Sequence, residues 1–409
     1  MISGLQYYEE KFQVLSEHAI KPGLQSMEQA LARLGNPHKN VRFVHLAGTN
    51  GKGSTLTFVE SLALEHGLQV GAFLSPAIVD VHDQLRINGK PITMEQMNAV
   101  FERLQKAKIS GICTEFELLT CAAFVFFEQQ QVDVAIVEAG MGGRFDSTNV
   151  LQPIVSIIPS IALEHTNFLG STLVDIAKHK AGIIKPNAPV VVGTVDDEAL
   201  DVIKNEALLT GSSVDLINED FHLRDDIYRD EQVQFAPITL TMRGHHQLNN
   251  AALAIRAFSY IHNDVQIEKV ITALKKAQLP FRFERMAQSL YFDGAHNPAS
   301  ARALVETIKK ELADKDIHFV VGMLADKDVD AVLRTLEEVS NNFTFVQFNN
   351  ERAMSAKELL ERSQASSTNI VDNVVDFLIE KSEQQVVTIV TGSLYLLASI
   401  RQQFISRVE

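Results

Sequence analysis

Cysteine is scarce in this sequence, and no stretch of it is apolar for long enough to cross a membrane. The only two cysteines, Cys113 and Cys121, form no CxxC pair and lie near no histidine at metal-ligand spacing. A disulfide framework is therefore not expected. The N-terminal stretch MISGLQYYEEKF carries acidic residues and lacks the apolar core of a signal peptide. Together these absences predict a cytoplasmic protein with no membrane-spanning segment.

Basic residues are in the minority. Lysine and arginine number 37 against 51 aspartates and glutamates, which gives a formal net charge of −14. This balance disfavours a nucleic-acid partner, because such proteins usually present a basic face to the phosphates. Small anionic substrates are compatible with it, provided that local donors and cations receive them. Apolar residues make up 46% of the chain and charged residues 22%, as in globular proteins.

Short apolar runs alternate with helical patterns, which predicts parallel sheets covered by helices on both faces. The runs are VRFVHLAG, VDVAIVEAG, IVSIIPSIAL, APVVVGTV, SLYFDGA, IHFVVGML, FTFVQF and VVTIVTGS. The chain has 409 residues and exceeds the roughly 100 to 200 residues of one ordinary domain. The connector KKAQLPFRFE contains Pro280, so we place a linker at 277–284 between domains 1–276 and 285–409. Residues 218–238 are polar and irregular, and the sequence assigns them no structure.

A glycine-rich loop follows the first apolar run. Val41 to Ala47 predicts a strand and Thr55 to His66 a helix that stops at Gly67, with GTNGKGS between them. Such a loop cradles phosphates with backbone N–H groups, a helix N-terminus and a lysine, while its serine can reach Mg²⁺. It departs from G-x-x-x-x-G-K-[ST], because Leu46 replaces the first glycine and Gly53 precedes the serine. The alternative is a tight turn without a ligand.

Two further strand ends carry candidate metal ligands. The run VDVAIVE ends in Glu138, from which a carboxylate can face a metal held by the loop serine; the alternative is an exposed rim residue. In SIALEHTNFLG, His165 stands at a third strand end, where a neutral imidazole could take a second ion. A single histidine is more often only hydrogen-bonded.

The stretch STLVDIAKHKAGIIKP predicts a helix with a lysine on its apolar face. At about 100° per residue, Lys180 falls among Leu173, Ile176, Ala177 and Ile184. A buried ammonium is costly unless it is paired, neutralised or chemically altered, so this lysine is expected to meet an anion or a metal centre. The alternative is a packed stem with its head in solvent.

The second half offers weaker signals. GHHQLNNAALAI opens a helix with amide side chains, PFRFE contains Arg282, and YFDGAHNPAS ends a strand at Asp293 and His296. DGAHNP could be only a turn, and Ser393 in VTGSLY could be only a helix N-cap.

Taken together, these stretches resemble the Mur ligase superfamily, and most closely its folylpolyglutamate synthase and dihydrofolate synthase branch. The similar segments follow the family order along nearly the whole chain: HLAGTNGKGST, TEFELLT, EAGMGGRFDSTNV, LEHTNFLG, IAKHKAGIIKP, HHQLNNAA, FDGAHNP, GMLADKD and TGSLY. The resemblance also accounts for the inserted Gly53. It implies a P-loop-type, doubly wound, mostly parallel ATPase domain followed by a smaller Rossmann-like α/β domain.

The resemblance further implies the roles of individual residues. The implied ATP contacts are Gly48, Thr49, Asn50, Gly51, Lys52, Gly53, Ser54, Thr55, Asn250, Arg282 and Asp293. The implied ligands of two Mg²⁺ ions are Ser54 and Glu138 for the first and Ser75, Glu138 and His165 for the second. Lys180 matches a carbamylated lysine; with Lys52 and His296 it is implied in catalysis, and His296 with Ser393 in receiving L-glutamate.

The expected activity is ATP-dependent addition of L-glutamate to a reduced folate through an acyl phosphate, and dihydropteroate is a further candidate substrate. The enzyme is expected to be a monomer. The sequence departs from the family at SPAI and DQLRING, where Ala77 and Gln84 replace side chains that could contact the pteridine-bearing substrate. One alternative is a cell-wall Mur-type amino-acid ligase, which TEFELLT and TGSLY disfavour. The other is a nucleotide-dependent switch ATPase without a ligase step, which has no need for His165 and Lys180.

Overall fold

The computed structural model of the chain describes residues 4–17, 23–382 and 384–408. Contacts within the chain divide it into two units. The first contains the chain up to Thr241 together with Leu248–Ala277, and the second contains Met242–Gln247 and the chain from Gln278 onward. The domain limits inferred from the sequence, with a linker at 277–284, stay a prediction.

The first unit is built on a mostly parallel sheet. Its strands in chain order are β1 (Phe43–Leu46), β2 (Val70–Phe73), β3 (Leu85–Ile87), β4 (Lys90–Pro91), β5 (Val134–Glu138), β6 (Pro153–Ile158), β7 (Val190–Val192) and β8 (Val214–Leu216). They lie side by side in the order β4-β3-β2-β5-β1-β6-β7-β8. Strand β3 pairs in the antiparallel sense with both β2 and β4, and the other described pairs of this sheet are parallel. The central strands β1 and β5 are buried along their whole length, as expected of a sheet covered on both faces.

Helices of the first unit cover this sheet. In chain order they are α1 (Leu5–Phe12), α2 (Gln25–Arg33), α3 (Lys52–Glu65), α4 (Met94–Lys106), α5 (Glu115–Gln129), α6 (Thr166–Leu169), α7 (Leu173–Ala181), α8 (Asp197–Thr210), α9 (His245–Ile261) and α10 (Ile267–Lys276). Short 3₁₀ turns occur at Pro37–Asn40, Val81–Gln84 and Ser147–Val150. The apolar side chains between helices and sheet form two core clusters in this unit.

A small antiparallel sheet accounts for most of the region that the sequence left unassigned. Its strands are β9 (Phe221–Arg224), β10 (Ile227–Asp230) and β11 (Gln234–Phe235), in the order β11-β10-β9. Within this sheet, Tyr228 donates a hydrogen bond at 3.0 Å to Asp230 on the same strand, β10. Nearby in the first unit, Arg256 on α9 donates two hydrogen bonds to Asp215 on β8, at 2.8 and 3.2 Å. The strands were missed because they are short and their alternation is irregular.

The second unit has a sheet and a core of its own. Its strands are β12 (Glu284–Ala287), β13 (Leu290–Phe292), β14 (Ile317–Val321), β15 (Asn342–Phe345), β16 (Ser367–Ile370) and β17 (Val387–Thr391), in the order β12-β13-β17-β14-β15-β16. Of these described strands, only β12 runs antiparallel to its neighbour. The helices are α11 (Pro298–Glu311), α12 (Val329–Glu337), α13 (Ala356–Arg362), α14 (Val374–Ser382) and α15 (Leu394–Val408). Each apolar run named from the sequence contains a strand, so the predicted fold class is confirmed.

The predicted linker is packed rather than exposed. Phe281 and Phe283 are 1% and 5% exposed, and Phe283 belongs to the core of the second unit. The Phe283 amide donates to Asp293 at 2.9 Å, and Glu284 accepts hydrogen bonds from Arg401. These contacts hold residues 281–284 within the second unit.

Among the described residues, no helix combines the length and apolar character that crossing a membrane requires.

Candidate nucleotide-binding site

The glycine-rich loop connects β1 to α3 and lies at the carboxyl edge of the first sheet. Helix α3 begins at Lys52, three residues before the predicted start at Thr55, so Lys52, Gly53 and Ser54 form its first turn. The prediction of a longer loop was therefore wrong. The first-turn amides of a helix have no partner within the helix, and its dipole is positive there. The earlier start consequently places the lysine and serine at an anion-binding helix terminus.

Two glycines of the loop stand where a side chain would not fit. Gly51 caps α3 with φ +86°, and a β-carbon there would lie 2.5 Å from the Asn250 amide oxygen. A β-carbon at Gly48 would lie 3.0 Å from Pro159. Asn250, on α9, also accepts a hydrogen bond from the Thr55 hydroxyl at 3.4 Å. The structure thus brings Asn250 against the loop, although 199 residues separate it from Gly51 in the printed numbering.

Lys52 bridges the loop and the neighbouring strand. Its ammonium donates to the Gly48 carbonyl at 2.8 Å and lies 3.7 Å from the Glu138 carboxylate. Glu138 ends β5, as predicted, and is only 5% exposed, which contradicts the alternative of an exposed rim residue. Two opposite charges at this distance in poorly hydrated surroundings attract each other strongly. A bound triphosphate would therefore meet a lysine and a carboxylate that the fold already holds in place.

Lys180 is buried, as its helical phase predicted. It is 4% exposed on α7, so the alternative of a head that reaches solvent does not hold. Ile184, predicted on the same helix face, lies beyond the helix end at Ala181. Burial, with a smaller effect of Lys52, lowers the pKa of Lys180 to about 7; the carboxylates of Glu164, Asp146 and Glu138 oppose that shift. Near neutral pH a large share of this amine is therefore uncharged and nucleophilic.

Asp146 is a part of this region to which the sequence reasoning gave no role. It is 7% exposed, and its carboxylate accepts hydrogen bonds from the Met141 amide at 2.8 Å and the Thr148 hydroxyl at 2.6 Å. The Thr148 hydroxyl in turn lies 2.8 Å from the ring of His45. Burial raises the pKa of Asp146, while these hydrogen bonds oppose the shift. The Asp-Ser-Thr-Asn run after the glycines was the available signal, since such runs form side-chain-stabilised turns.

The two remaining metal-ligand candidates are placed differently. Ser75 lies just beyond the end of β2 at Phe73 and is partly buried. His165 does not stand at the end of β6, which finishes at Ile158; it is exposed and precedes α6 with φ +53°. A left-handed backbone is uncommon for residues other than glycine, although histidine adopts it more readily than most. The assignment of His165 to a strand end was therefore wrong, because the apolar run continues past the strand.

The side chains near the glycine-rich loop fit a magnesium ion that is shared with a substrate. Among the described residues, no three His, Cys, Asp or Glu side chains gather as a metal site of their own. Mg²⁺ usually keeps several waters and takes one or two carboxylates together with substrate phosphates. The buried Glu138 carboxylate and Ser54 hydroxyl, the latter on the first turn of α3, match that requirement.

In the second unit, the predicted residues lie at the carboxyl edge of the sheet. Asp293 comes directly after β13 and accepts hydrogen bonds from the Phe283 and Ala295 amides at 2.9 and 3.0 Å. Burial raises its pKa, and the charge of Arg282 is the largest opposing influence. The Ala295 carbonyl accepts from the Gly392 amide at 2.9 Å, which joins the loop after β13 to the loop after β17. His296 and Ser393 therefore sit on neighbouring loops.

His296 and Ser393 also have structural contacts. The His296 ring lies 2.8 Å from the Gly294 carbonyl through Nδ1, which must carry the hydrogen to donate to it. Ser393 precedes α15, is 2% exposed, and its hydroxyl accepts from the Tyr395 amide at 3.2 Å. The N-cap interpretation of Ser393 is thus confirmed; its role toward a substrate stays a prediction. The DGAHNP stretch is a loop that leads into α11 at Pro298, with Asn297 as the N-cap of that helix.

The two departures from the family pattern lie in the segment between β2 and β3. Gln84 is 2% exposed, and its side-chain amide donates to the Leu74 carbonyl at 3.1 Å. The Leu74 amide donates in turn to the Gln84 carbonyl at 3.0 Å, so Gln84 closes this segment. Ala77 is partly buried within it. Gln84 consequently has a structural function, which its departure from the family pattern did not reveal.

Comparison with known proteins now identifies the class. The Mur ligase middle domain model matches residues 46–258, and the model for the C-terminal domain of dihydrofolate synthetase matches residues 278–403. The chain is therefore a Mur ligase-type protein, and most of its first unit matches the middle domain of that family. Bacillus subtilis dihydrofolate synthase/folylpolyglutamate synthase is 36% identical to this chain, over 94% of the chain and 95% of the relative. The Escherichia coli protein of the same name is 31% identical, over 98% and 95%.

Solved structures agree along the whole length. Escherichia coli FolC in complex with DHPP and ADP is 28% identical to this chain, with a TM-score of 0.90 and coverage of 100% of this chain and 99% of that one. The Yersinia pestis bifunctional folylpolyglutamate synthase/dihydrofolate synthase complexed with AMPPNP and Mn ion is 29% identical, with a TM-score of 0.89 and 98% coverage of both chains. The chain belongs to the folylpolyglutamate synthase and dihydrofolate synthase family.

Proposed function

We propose that this chain is an ATP-dependent ligase that joins L-glutamate to folates, with dihydropteroate as a further acceptor. The observation that carries the proposal is the set of charges at the start of α3: Lys52 lies 3.7 Å from Glu138, and Lys180 is buried within the electrostatic reach of both. Such an arrangement suits a reaction that brings a carboxylate to a triphosphate, because both reactants are anions.

In the proposed first step, an oxygen of the folate carboxylate attacks the γ-phosphorus of ATP, and the bond to the β–γ bridging oxygen breaks. The products are an acyl phosphate and ADP. The amides at the start of α3 and the Lys52 ammonium bind the phosphates and offset their charge. Ser54 and Glu138 would hold Mg²⁺, which would supply positive charge to offset that of the phosphates. Ser75 and His165 are proposed to help Glu138 to hold a second ion.

In the proposed second step, the amine of L-glutamate attacks the acyl carbon. The carbon–oxygen bond to phosphate breaks, the amine loses a proton, and an amide and inorganic phosphate leave. His296 and Ser393 are proposed to receive the glutamate, and Asn250, Arg282 and Asp293 to contact the nucleotide. The supporting geometry is local: His296 and Ser393 lie on loops joined by the hydrogen bond between the Gly392 amide and the Ala295 carbonyl.

Lys180 is proposed to act as a carbamate. Its neutral amine would add CO₂ to give R–NH–COO⁻ with release of one proton, which converts a buried cation site into an anion site. Burial of the amine and the pKa of about 7 support this proposal, because the neutral form is required for the addition. The carbamate would bring negative charge next to Lys52 and to the site proposed for Mg²⁺.

A direct assay tests the ligase proposal. Purified enzyme is given ATP, Mg²⁺ and labelled L-glutamate, with dihydropteroate and a reduced folate offered separately. Label is expected in the folate product with one ADP formed per amide. A Mur-type ligase would instead require a nucleotide-linked sugar peptide, and a switch ATPase would release ADP at the same rate without folate and glutamate. Either result would contradict the proposal.

Light scattering tests whether the enzyme acts as a monomer.

The carbamate is tested by substitution and rescue. Lys180→Ala is expected to lose activity, and short carboxylic acids to restore part of it by occupying the vacated position. Bicarbonate depletion should weaken the wild type but not the variant further. Lys178→Ala is the matched control, since Lys178 is exposed on the same helix. A bare amine in a metal-bound crystal grown with bicarbonate, together with activity indifferent to CO₂, would rule the modification out.

A further inference from the structure

A chain of three side chains ties the N-terminal helix to the segment between β2 and β3. Tyr8 on α1 lies with its hydroxyl 2.7 Å from Nε2 of His82, and Nδ1 of His82 lies 2.9 Å from the Asp80 carboxylate. Tyr8 and His82 are 74 residues apart in the sequence. None of the three residues has a role in the proposed reaction steps.

The direction of these hydrogen bonds is set by their chemistry. The Asp80 carboxylate can only accept, so Nδ1 of His82 carries a hydrogen, and in the neutral ring Nε2 then accepts from the Tyr8 hydroxyl. Burial is the main cause that raises the pKa of Tyr8 to about 12, which keeps that hydroxyl protonated as a donor. The same Asp80 oxygen also accepts the His82 backbone amide at 2.9 Å. The three groups therefore form one hydrogen-bonded chain from helix α1 into the segment.

The segment itself, residues 74–84, is closed at its base and braced near its middle. Leu74 and Gln84 are joined by two hydrogen bonds, one through the Gln84 side chain and one through its carbonyl. The Asp83 carboxylate accepts from the Val79 amide at 2.6 Å and forms a reciprocal cap with Asp80. Between these anchors, Ser75, Pro76, Ala77 and Val79 keep exposed or partly exposed side chains. The 74–84 segment is thus a braced loop whose first half faces solvent.

The position of the 74–84 segment relates it to the reaction. Strands β2 and β5 run parallel, and Phe73 pairs with Val137 one residue before Glu138. When parallel strands end together, the loops after them emerge at one sheet edge, where ligands of open α/β sheets bind. The residues from Ser75 onward therefore leave the sheet beside the Glu138 carboxylate.

We infer that the Tyr8–His82–Asp80 chain is a positioning device that holds the 74–84 segment in the arrangement that binds the folate acceptor. The inference rests on the proposed ligase function. Tyr8 does not reach the reacting atoms: it is 1% exposed and packs its ring on Phe101, with centroids 5.2 Å apart. Tyr8 acts through His82: its ring packs in the core, and its hydroxyl makes the hydrogen bond to His82.

The test compares two tyrosines that are neighbours on α1. Tyr8→Phe removes only the hydroxyl that meets His82 and leaves the packed aromatic ring in place. Tyr7→Phe is the matched control, because Tyr7 is 51% exposed and is not part of the Tyr8–His82–Asp80 hydrogen-bonded chain. Hydrogen–deuterium exchange of the amides in residues 75–84 is measured first. Loss of one hydrogen bond of ordinary strength should increase exchange there about fivefold in Tyr8→Phe and leave it unchanged in Tyr7→Phe.

Steady-state kinetics and a double-mutant cycle complete the test. Tyr8→Phe should raise the KM for the folate about three- to tenfold with less than a twofold change in kcat. Combining it with His82→Asn should add little, since both substitutions break the same chain. Unchanged exchange in Tyr8→Phe, or additive effects in the double variant, would overturn the positioning role whatever the activity. Faster exchange with an unchanged folate KM would overturn its link to the substrate. A wild type without ligase activity would instead overturn the proposed function and the substrate link together.

Discussion

At the scale of single residues, the first unit concentrates charge where water is scarce. Lys52, Glu138 and Asp146 are mostly buried, and Lys180 is 4% exposed among them. Charges in such surroundings interact more strongly than at the surface, and each is costly without the others. The function of each side chain therefore depends on its neighbours more than on its own type.

We expect Lys52→Ala and Glu138→Gln each to lower amide formation by about a hundredfold or more, the scale of losing one preorganised electrostatic group. In the proposed roles both substitutions change the charge at the phosphates and not the core volume, so circular dichroism should stay that of the wild type. Steady-state assays of the purified variants measure the loss. Near-normal turnover in either variant would remove that residue from its proposed role.

The low pKa of Lys180 predicts a dependence of stability on pH. The folded state releases this proton near pH 7 and the unfolded state near 10.5. Below pH 7 both states hold it, and the penalty of burying the ammonium is complete. Between these values the unfolded state binds more protons, so wild-type stability should rise with pH relative to Lys180→Met, by about 1.4 kcal/mol per pH unit.

Urea unfolding of both proteins at several pH values, in bicarbonate-depleted buffer, measures this difference. Lys178→Met, which replaces an exposed lysine on the same helix, is measured in parallel as the control substitution. A constant gap between wild type and Lys180→Met would mean that Lys180 titrates near its ordinary pKa in the folded chain.

Single-residue sequence reasoning reached Lys180 because helical phase is a local property, and it placed Glu138 correctly at a strand end. It missed Asp146, whose importance depends on contacts with Met141 and Thr148 and on the nearby amine. It also placed His165 at a strand end, whereas in the structure this residue precedes helix α6. These errors arise where burial and partners come from other parts of the chain.

At the scale of elements, the two ends of α3 carry glycines with the same backbone conformation and different surroundings. Gly51 at the N-terminus and Gly67 just beyond the C-terminus both have φ +86°. A β-carbon at Gly51 would collide with Asn250, whereas within the described part of the chain one at Gly67 would meet only its own chain neighbours within 4 Å. Left-handed backbone disfavours any side chain at both sites, but only Gly51 also faces a steric limit.

This contrast gives a paired prediction. Gly67→Ala should cost about 1 kcal/mol of stability through backbone strain and leave nucleotide affinity unchanged. Gly51→Ala should carry the same strain and in addition displace Asn250 or the loop, so its affinity for ATP should fall at least tenfold. Urea unfolding and calorimetric titration with a non-hydrolysable ATP analogue measure the two effects. Equal affinities in the two variants would show that the close approach to Asn250 does not shape the nucleotide site.

At the scale of the whole molecule, the chain holds two units with separate cores. Phe124 belongs to a core cluster of the first unit and Phe319 to that of the second, and both are completely buried. Each unit has its own mostly parallel sheet and its own covering helices. Separate cores of this kind allow each unit to unfold with its own free energy.

Phe124→Ala and Phe319→Ala test this independence, each serving as the control for the other. Either substitution should cost about 3 to 5 kcal/mol in its own unit, through lost burial and the cavity left behind. Native-state hydrogen exchange should then accelerate on β5 in the first variant and on β14 in the second. Acceleration on both strands in either variant would show that the two units unfold as one.

The sequence by itself determined the alternation of strands and helices, the glycine-rich loop after the first strand and the apolar phase of Lys180, because these depend on residues that are close along the chain. Only the tertiary structure decided that α3 begins at Lys52, that the charges of Asp146 and Glu164 act on the pKa of Lys180, and that Tyr8 meets His82. Periodicity and turn propensity act over a few residues. The charge and hydration around a side chain are set by whatever the fold packs against it, and that information is spread over the whole chain.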